Sequence, residues 1–169
     1  MSSLLSLVGT VTTTSTNRRF VAKENFVIGI SNTAKVRIAD IGENFKAWFL
    51  NGEGKVENTR NAQIVHYYRL RTSLVDDHAI ISELGGQANA ETTLSEMHYI
   101  LENYNNGKND VLQCGRANLF YIPDQYGELR VVDLYWLEIG WYIYARSINN
   151  PRKWRDGDQV FSHHDLNNR

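Results

Sequence analysis

With one cysteine, Cys114, the chain has no internal disulfide and no zinc site that needs two thiolates. A lone thiol suits a reducing compartment, so a cytoplasmic protein is expected. No run approaches the roughly 20 apolar residues of a membrane-spanning helix. Residues 4–8 are the nearest thing to a targeting signal, and no basic stretch precedes them. Neither sign of charge dominates. The 18 Lys plus Arg stand against 19 Asp plus Glu, which leaves no global field to draw the protein to nucleic acid or an anionic membrane. A P-loop, a Gly-x-Gly-x-x-Gly and a Gly-x-Ser-x-Gly elbow are all missing, which removes the common nucleotide-binding and hydrolase signatures.

What remains is a chain of 169 residues, 42% of them hydrophobic, long enough to bury a core. It has only two prolines but nine tyrosines, a composition that favours pleated, half-buried surfaces. Its charge is unevenly spread. Residues 1–75 carry ten Lys or Arg against five Asp or Glu, whereas residues 76–169 carry eight against fourteen. The two parts therefore attract, within one chain or head-to-tail between subunits.

Strands are expected at residues 4–13, 20–30 and 35–38, the last alternating charged and apolar residues. Residues 45–50 read as a strand or one short helix, and residues 52–61 make a boundary, since Val56 is their only large apolar residue. Residues 62–74 and 78–84 read as two strands joined by a turn at Asp76-Asp77, stopped by Gly85-Gly86. One helix is clear: Thr93 stands three residues before Glu96 in a capping box, Leu94, Met97, Leu101 and Tyr104 recur at helical spacing, and Asn105-Asn106-Gly107 supplies a stop. Strands follow at 111–122, 129–137 and 139–148, and an edge strand within 154–161. In the third of these, Ile139, Trp141, Ile143 and Ala145 share the core side and Tyr142, Tyr144 and Arg146 the wetter one. The pattern predicts an α+β fold, mostly antiparallel, with one main amphipathic helix on the C-terminal sheet and a small all-β N-terminal lobe. The lobes divide as 1–57 and 58–165, or form one continuous domain.

Several clusters carry residue types that do chemistry. His163-His164-Asp165 has the donors of a metal or proton-transfer site, although neighbours on a strand point to opposite faces and a solvated tail explains them as well. Asp76-Asp77-His78 suits a divalent cation or an oriented imidazole, and equally the chemistry of a turn. Cys114 reads as a buried, slowly reacting core thiol. His66-Tyr67-Tyr68-Arg69-Leu70-Arg71 and Arg152-Lys153-Trp154-Arg155 interleave aromatic and basic residues as single-strand binders do, yet an amphipathic strand looks the same, and no nucleic acid partner is expected.

The most informative feature is the nine aromatic residues between Phe120 and Trp154. One sheet face with one helix leaves some of them outside the core. The sequence therefore reads as a non-catalytic protein- or ligand-interaction module whose surface is Tyr142, Tyr144, Arg146 and Trp154. A protein partner or a second copy is expected, and no cofactor. A second reading is a small metal-assisted hydrolase using His163, His164 and Asp165 with Asp76 or His78.

Overall fold

The computed structural model describes residues 3–104 and 111–168. Seven strands make one sheet in the order β1-β5-β9-β6-β7-β8-β3: β1 (Leu5–Thr12), β3 (Ile38–Ile41), β5 (Ile64–Leu70), β6 (Asn118–Pro123), β7 (Leu129–Leu137), β8 (Gly140–Ser147) and β9 (Gln159–Ser162). A separate ribbon pairs β2 (Phe20–Val21) with β4 (Val56–Glu57). The sheet is mostly antiparallel, but β6 with β9 and β3 with β8 run parallel. Among the described residues five helices accompany it: α1 (Ala22–Asn25), α2 (Glu43–Phe45, continued by a π-helical turn over Lys46–Leu50), α3 (Asp77–Glu83), α4 (Gln87–Ala90) and α5 (Leu94–Asn103).

Both faces of the sheet are apolar, because side chains alternate along each strand. Phe120, Ile122, Val132 and Leu134 point to one side and meet α1, α2 and α5 there, while Leu119, Tyr121, Leu129 and Val131 point to the other and meet α3 and α4. An extra residue at Val8 shifts the register of β1, so Leu5 and Val11 serve opposite cores although six positions separate them.

The mixed α+β class, the large sheet and the α5 capping box appear as the sequence predicts. Thr93 Oγ1 accepts from the Glu96 N–H while Glu96 Oε1 accepts from the Thr93 N–H. The stop at Asn105-Asn106-Gly107 lies outside the described residues. Other expectations are corrected. Residues 78–84 form α3 rather than a strand, because Asp76 caps a helix with its Oδ1 on the Ala79 N–H (2.8 Å) and Ile80, Ile81 and Leu84 bury one stripe of it. The strand expected over 20–30 lasts two residues before α1. β6 begins only at Asn118, leaving Cys114 in an irregular stretch where it is exposed rather than core. Ile139 is 51% exposed, since it sits in the β7–β8 turn beside Glu138, whose φ is +35°. β9 is no edge strand. It lies between β5 and β6, with all four of its residues buried. Residues 1–57 hold α1 and α2 as well as strands, and β1 and β3 sit at the two ends of the same sheet.

Candidate functional site

On the sheet face that α3 partly covers, polar groups from four places in the chain converge. The bridge between Val75 and Trp154 brings the 149–155 loop to the N-terminus of α3. There the buried Asp77 carboxylate accepts from Trp154 Nε1 (2.8 Å) and Tyr121 Oη (2.7 Å), both on Oδ1. Burial raises the Asp77 carboxyl, and the two donors pull it partly back. Burial also pushes the Tyr121 phenol well above its ordinary range, reinforced by the Asp77 charge.

Beside this pair, β7 and β8 set Asp133, Tyr142, Tyr144 and Arg146 on the same face, with Asp133 directly opposite Tyr144. Asp133 is 1% exposed. Arg146 Nη2 stands 3.6 Å from Asp133 Oδ2, close enough for charge attraction but beyond a good hydrogen bond. The Arg146 guanidinium also lies 5.4 Å from the centre of the Trp154 ring, and Arg152 lies 5.2 Å from it. Four buried side-chain N or O atoms lack a hydrogen-bond partner among the described residues. Three belong to this pair: Asp133 Oδ1 and Oδ2 and Arg146 Nη1. Burial pushes the Asp133 carboxyl up to about 6, although Arg146 and then Arg152 pull it down.

A cleft of about 330 Å³ reaches Arg146 but not the buried Asp133; it is lined by Gly42, Glu43, Asn44, Tyr144, Ala145, Arg146 and Asn150. Tyr144 packs directly on the Gly42 backbone: a Cβ at Gly42 would come within 2.6 Å of Tyr144 Cδ1. Only glycine lets the ring lie there. The Tyr144 hydroxyl reaches Asp40 Oδ2 at 3.5 Å.

The structure thus brings Arg146 and Trp154 together with Asp76 and His78, which lie in unrelated segments of the sequence. Asp76 pairs with Lys153 Nζ (3.3 Å), and its carboxyl sits below the ordinary range through the Ala79 N–H bond and then Lys153. His78 Nε2 bonds Asn149 Oδ1 at 2.7 Å. Asp133 escapes the sequence reading. Its one signal is a lone charge at an inward position of a strand that otherwise reads as buried, between Val131 and Tyr135.

His163, His164 and Asp165 do not converge. His163 Nε2 meets the buried Glu96 of α5 at 2.5 Å, His164 lies beside Gly85 at the α3–α4 junction, and Asp165 faces His66 at 3.9 Å. Burial pushes Glu96 up, but His163 and Thr93 more than offset it, so its carboxyl sits below the usual range. No three His, Cys, Asp or Glu side chains group as metal ligands among the described residues. The aromatic residues of the His66–Arg71 segment are also committed elsewhere: Tyr67 and Tyr68 are buried, one in each core.

Glu57 holds the ribbon to α5, its Oε2 and Oε1 accepting from the Leu94 and Ser95 N–H groups at 2.9 and 2.8 Å. Glu57→Ala is expected to cost about 1 to 2 kcal/mol, as loss of a helix cap does, read from chemical denaturation. Comparison with family models, curated proteins and solved structures finds no match to this chain.

Proposed function

We propose that this protein is a non-catalytic binding module whose contact surface is the Tyr142–Tyr144–Arg146 face of β8, with Trp154 as its rigid neighbour. One observation carries the reading: alternate residues of β8, Trp141, Ile143 and Ala145, are buried in a core, whereas Tyr142 and Tyr144 belong to neither core and stay half-buried. Large rigid rings with a polar tip, beside an arginine and a cleft, are the chemistry of binding surfaces.

The double substitution Tyr142→Ser and Tyr144→Ser is expected to keep the fold, because it takes nothing from either core. Binding should weaken by about 1 to 4 kcal/mol if the rings are hot spots. Circular dichroism checks the fold. Sedimentation checks self-association, and pull-down followed by titration of the purified partner checks capture. A double variant that folds, associates and binds as the parent does removes the reading, as does one that unfolds, which makes the tyrosines core.

A further inference from the structure

We propose that the cleft between the β1–β2 loop and α5 binds a small phosphate monoester, its phosphoryl group held by Thr16, Ser95, Arg18 and Arg19 and its organic part laid against Phe20 and Tyr99. This goes beyond the reading above, since none of these residues lines the β8 cleft.

The loop from Thr13 to Arg19 carries four hydroxyl residues, an asparagine and two arginines before β2 begins. Arg60 fastens it. Its N–H donates to Thr16 Oγ1 (3.0 Å), and its carbonyl accepts from the Thr16 N–H (2.9 Å). Its guanidinium donates to Thr13 Oγ1 (2.9 Å), to the Thr14 carbonyl (2.7 Å) and, on α5, to Ser95 Oγ (3.1 Å). Thr13, Thr16 and Ser95 thus each have a hydroxyl lone pair taken by Arg60 and a hydrogen left to give. Thr13 gives its hydrogen to the Gln63 carbonyl (3.3 Å), whereas Thr16 and Ser95 meet no acceptor among the described residues.

Both of those hydroxyl residues line open space. With Arg18, Arg19 and Glu24 they border a cleft of about 410 Å³, and with Arg60, Tyr99 and Glu102 a smaller one of about 160 Å³. Phe20 stands in both clefts, so the two are continuous around its ring. Arg18 and Arg19 are exposed and pair with no carboxylate among the described residues. The walls therefore offer hydroxyl hydrogens and two unpaired guanidiniums, and what they lack is acceptor oxygens.

The number of oxygens decides the class of guest. A carboxylate has two in one plane, which a single arginine fork satisfies. A phosphate monoester has three on a tetrahedron and a charge of about −1.5 to −2, so hydroxyls and guanidiniums bond it from several sides. The N-terminus of α5 supplies none of this attraction, because Glu57 already accepts from its Leu94 and Ser95 N–H groups. Two acidic groups line the clefts. Glu102 is engaged by His98 Nδ1 at 3.0 Å, while Glu24 pairs with no cation and opposes the guest. The half-buried Phe20 ring, packed on Phe26 and His98 at 6.0 and 5.5 Å, gives the organic part a fixed apolar wall, and Tyr99 adds a second in the smaller cleft.

Calorimetric titration and thermal unfolding of the full chain test this with phenyl phosphate, inorganic phosphate, benzoate and a single-stranded oligonucleotide. Phenyl phosphate at a hundred times its dissociation constant is expected to raise the midpoint by roughly 5 to 10 °C. It should bind about two- to tenfold tighter than inorganic phosphate, through the rings. Replacing Arg18 and Arg19 together by Gln should weaken it about tenfold or more, and the fold should survive because both lie outside the two cores. Ser95→Ala should also weaken it, and Glu24→Gln should tighten it. The Tyr142/Tyr144 double variant should bind phenyl phosphate as the parent does. A parent that phenyl phosphate does not stabilise overturns the proposal, as does benzoate binding as tightly, or inorganic phosphate matching phenyl phosphate. An arginine double variant or a Ser95→Ala chain with parental affinity removes the donor wall and the proposal with it. An oligonucleotide that binds more tightly than any monoester replaces the small guest by a nucleic acid.

Discussion

Arg146→Met is expected to destabilise the protein by about 3 to 5 kcal/mol at pH 7, because it leaves the Asp133 carboxylate buried with no neutralising charge in contact. Adding Asp133→Leu to the same chain should return the stability to that of the parent or above it, since an apolar pair of similar volume carries no desolvation cost. Chemical denaturation of the parent, the single and the double variant reads both effects. A single variant as stable as the parent would show that the attraction across 3.6 Å does nothing for Asp133.

The pH dependence has a definite sign. Folding raises the Asp133 carboxyl from its ordinary value of 3.8 to about 6, so the folded chain binds that proton more tightly than the unfolded one. Its contribution is therefore most favourable below pH 4 and is lost as pH rises towards 6, a change of about 3 kcal/mol. The groups that set it are Arg146 on the next strand, Arg152 on the loop and Asp77 on α3. Asp133→Asn should remove this slope and leave that of Asp77, whose carboxyl folding also raises, together with the opposite slopes of Glu96 and Asp76, whose carboxyls folding lowers. The difference between the two stability–pH curves isolates Asp133.

Leu101→Ala is expected to cost about 2 to 5 kcal/mol, the range for deleting a buried leucine where the surroundings collapse incompletely. Leu101 has no exposed surface and packs in the core with Leu94, Met97 and Ile100 from its own helix. Asn103→Ala, on the exposed side of the same helix, should stay within about 0.5 kcal/mol. Equal midpoints for Leu101→Ala and parent in thermal unfolding would mean that α5 buries a different face.

That stripe is legible in the sequence because everything that specifies it is local. Thr93 and Glu96 are three residues apart, and Leu94, Met97 and Leu101 repeat with the helix. The alternation of Trp141, Ile143 and Ala145 is legible for the same reason. What the sequence hides depends on distant partners. In α3 the pair Ile80 and Ile81 reads as strand until Asp76 is recognised as a cap, and an Asp before a short apolar run serves turn and helix alike. β9 gives no sign of its interior place, since its neighbours β5 and β6 are supplied by far-off segments. The site is half legible. Tyr142, Tyr144, Arg146 and Trp154 stand out by type, but only the folded sheet sets Asp133 against them and sends His163 to Glu96 instead of to His164.

The interior position of β9 bears on when the molecule can assemble. In the sheet order, β9 alone joins the β1–β5 pair to the β6-β7-β8-β3 group. Its side-chain bonds reach back 90 residues to Arg69 and 41 to Asn118. Closing such loops is entropically costly, and chains rich in distant pairings fold slowly. During synthesis, the sheet stays in two unjoined pieces, with the facing edges of β5 and β6 open, until Ser162 has emerged from the ribosome. Of the strands in this sheet, the latest in chain order is the one that unites the halves, and until it docks, those two edges are where a nascent chain is most open to pairing with a neighbour.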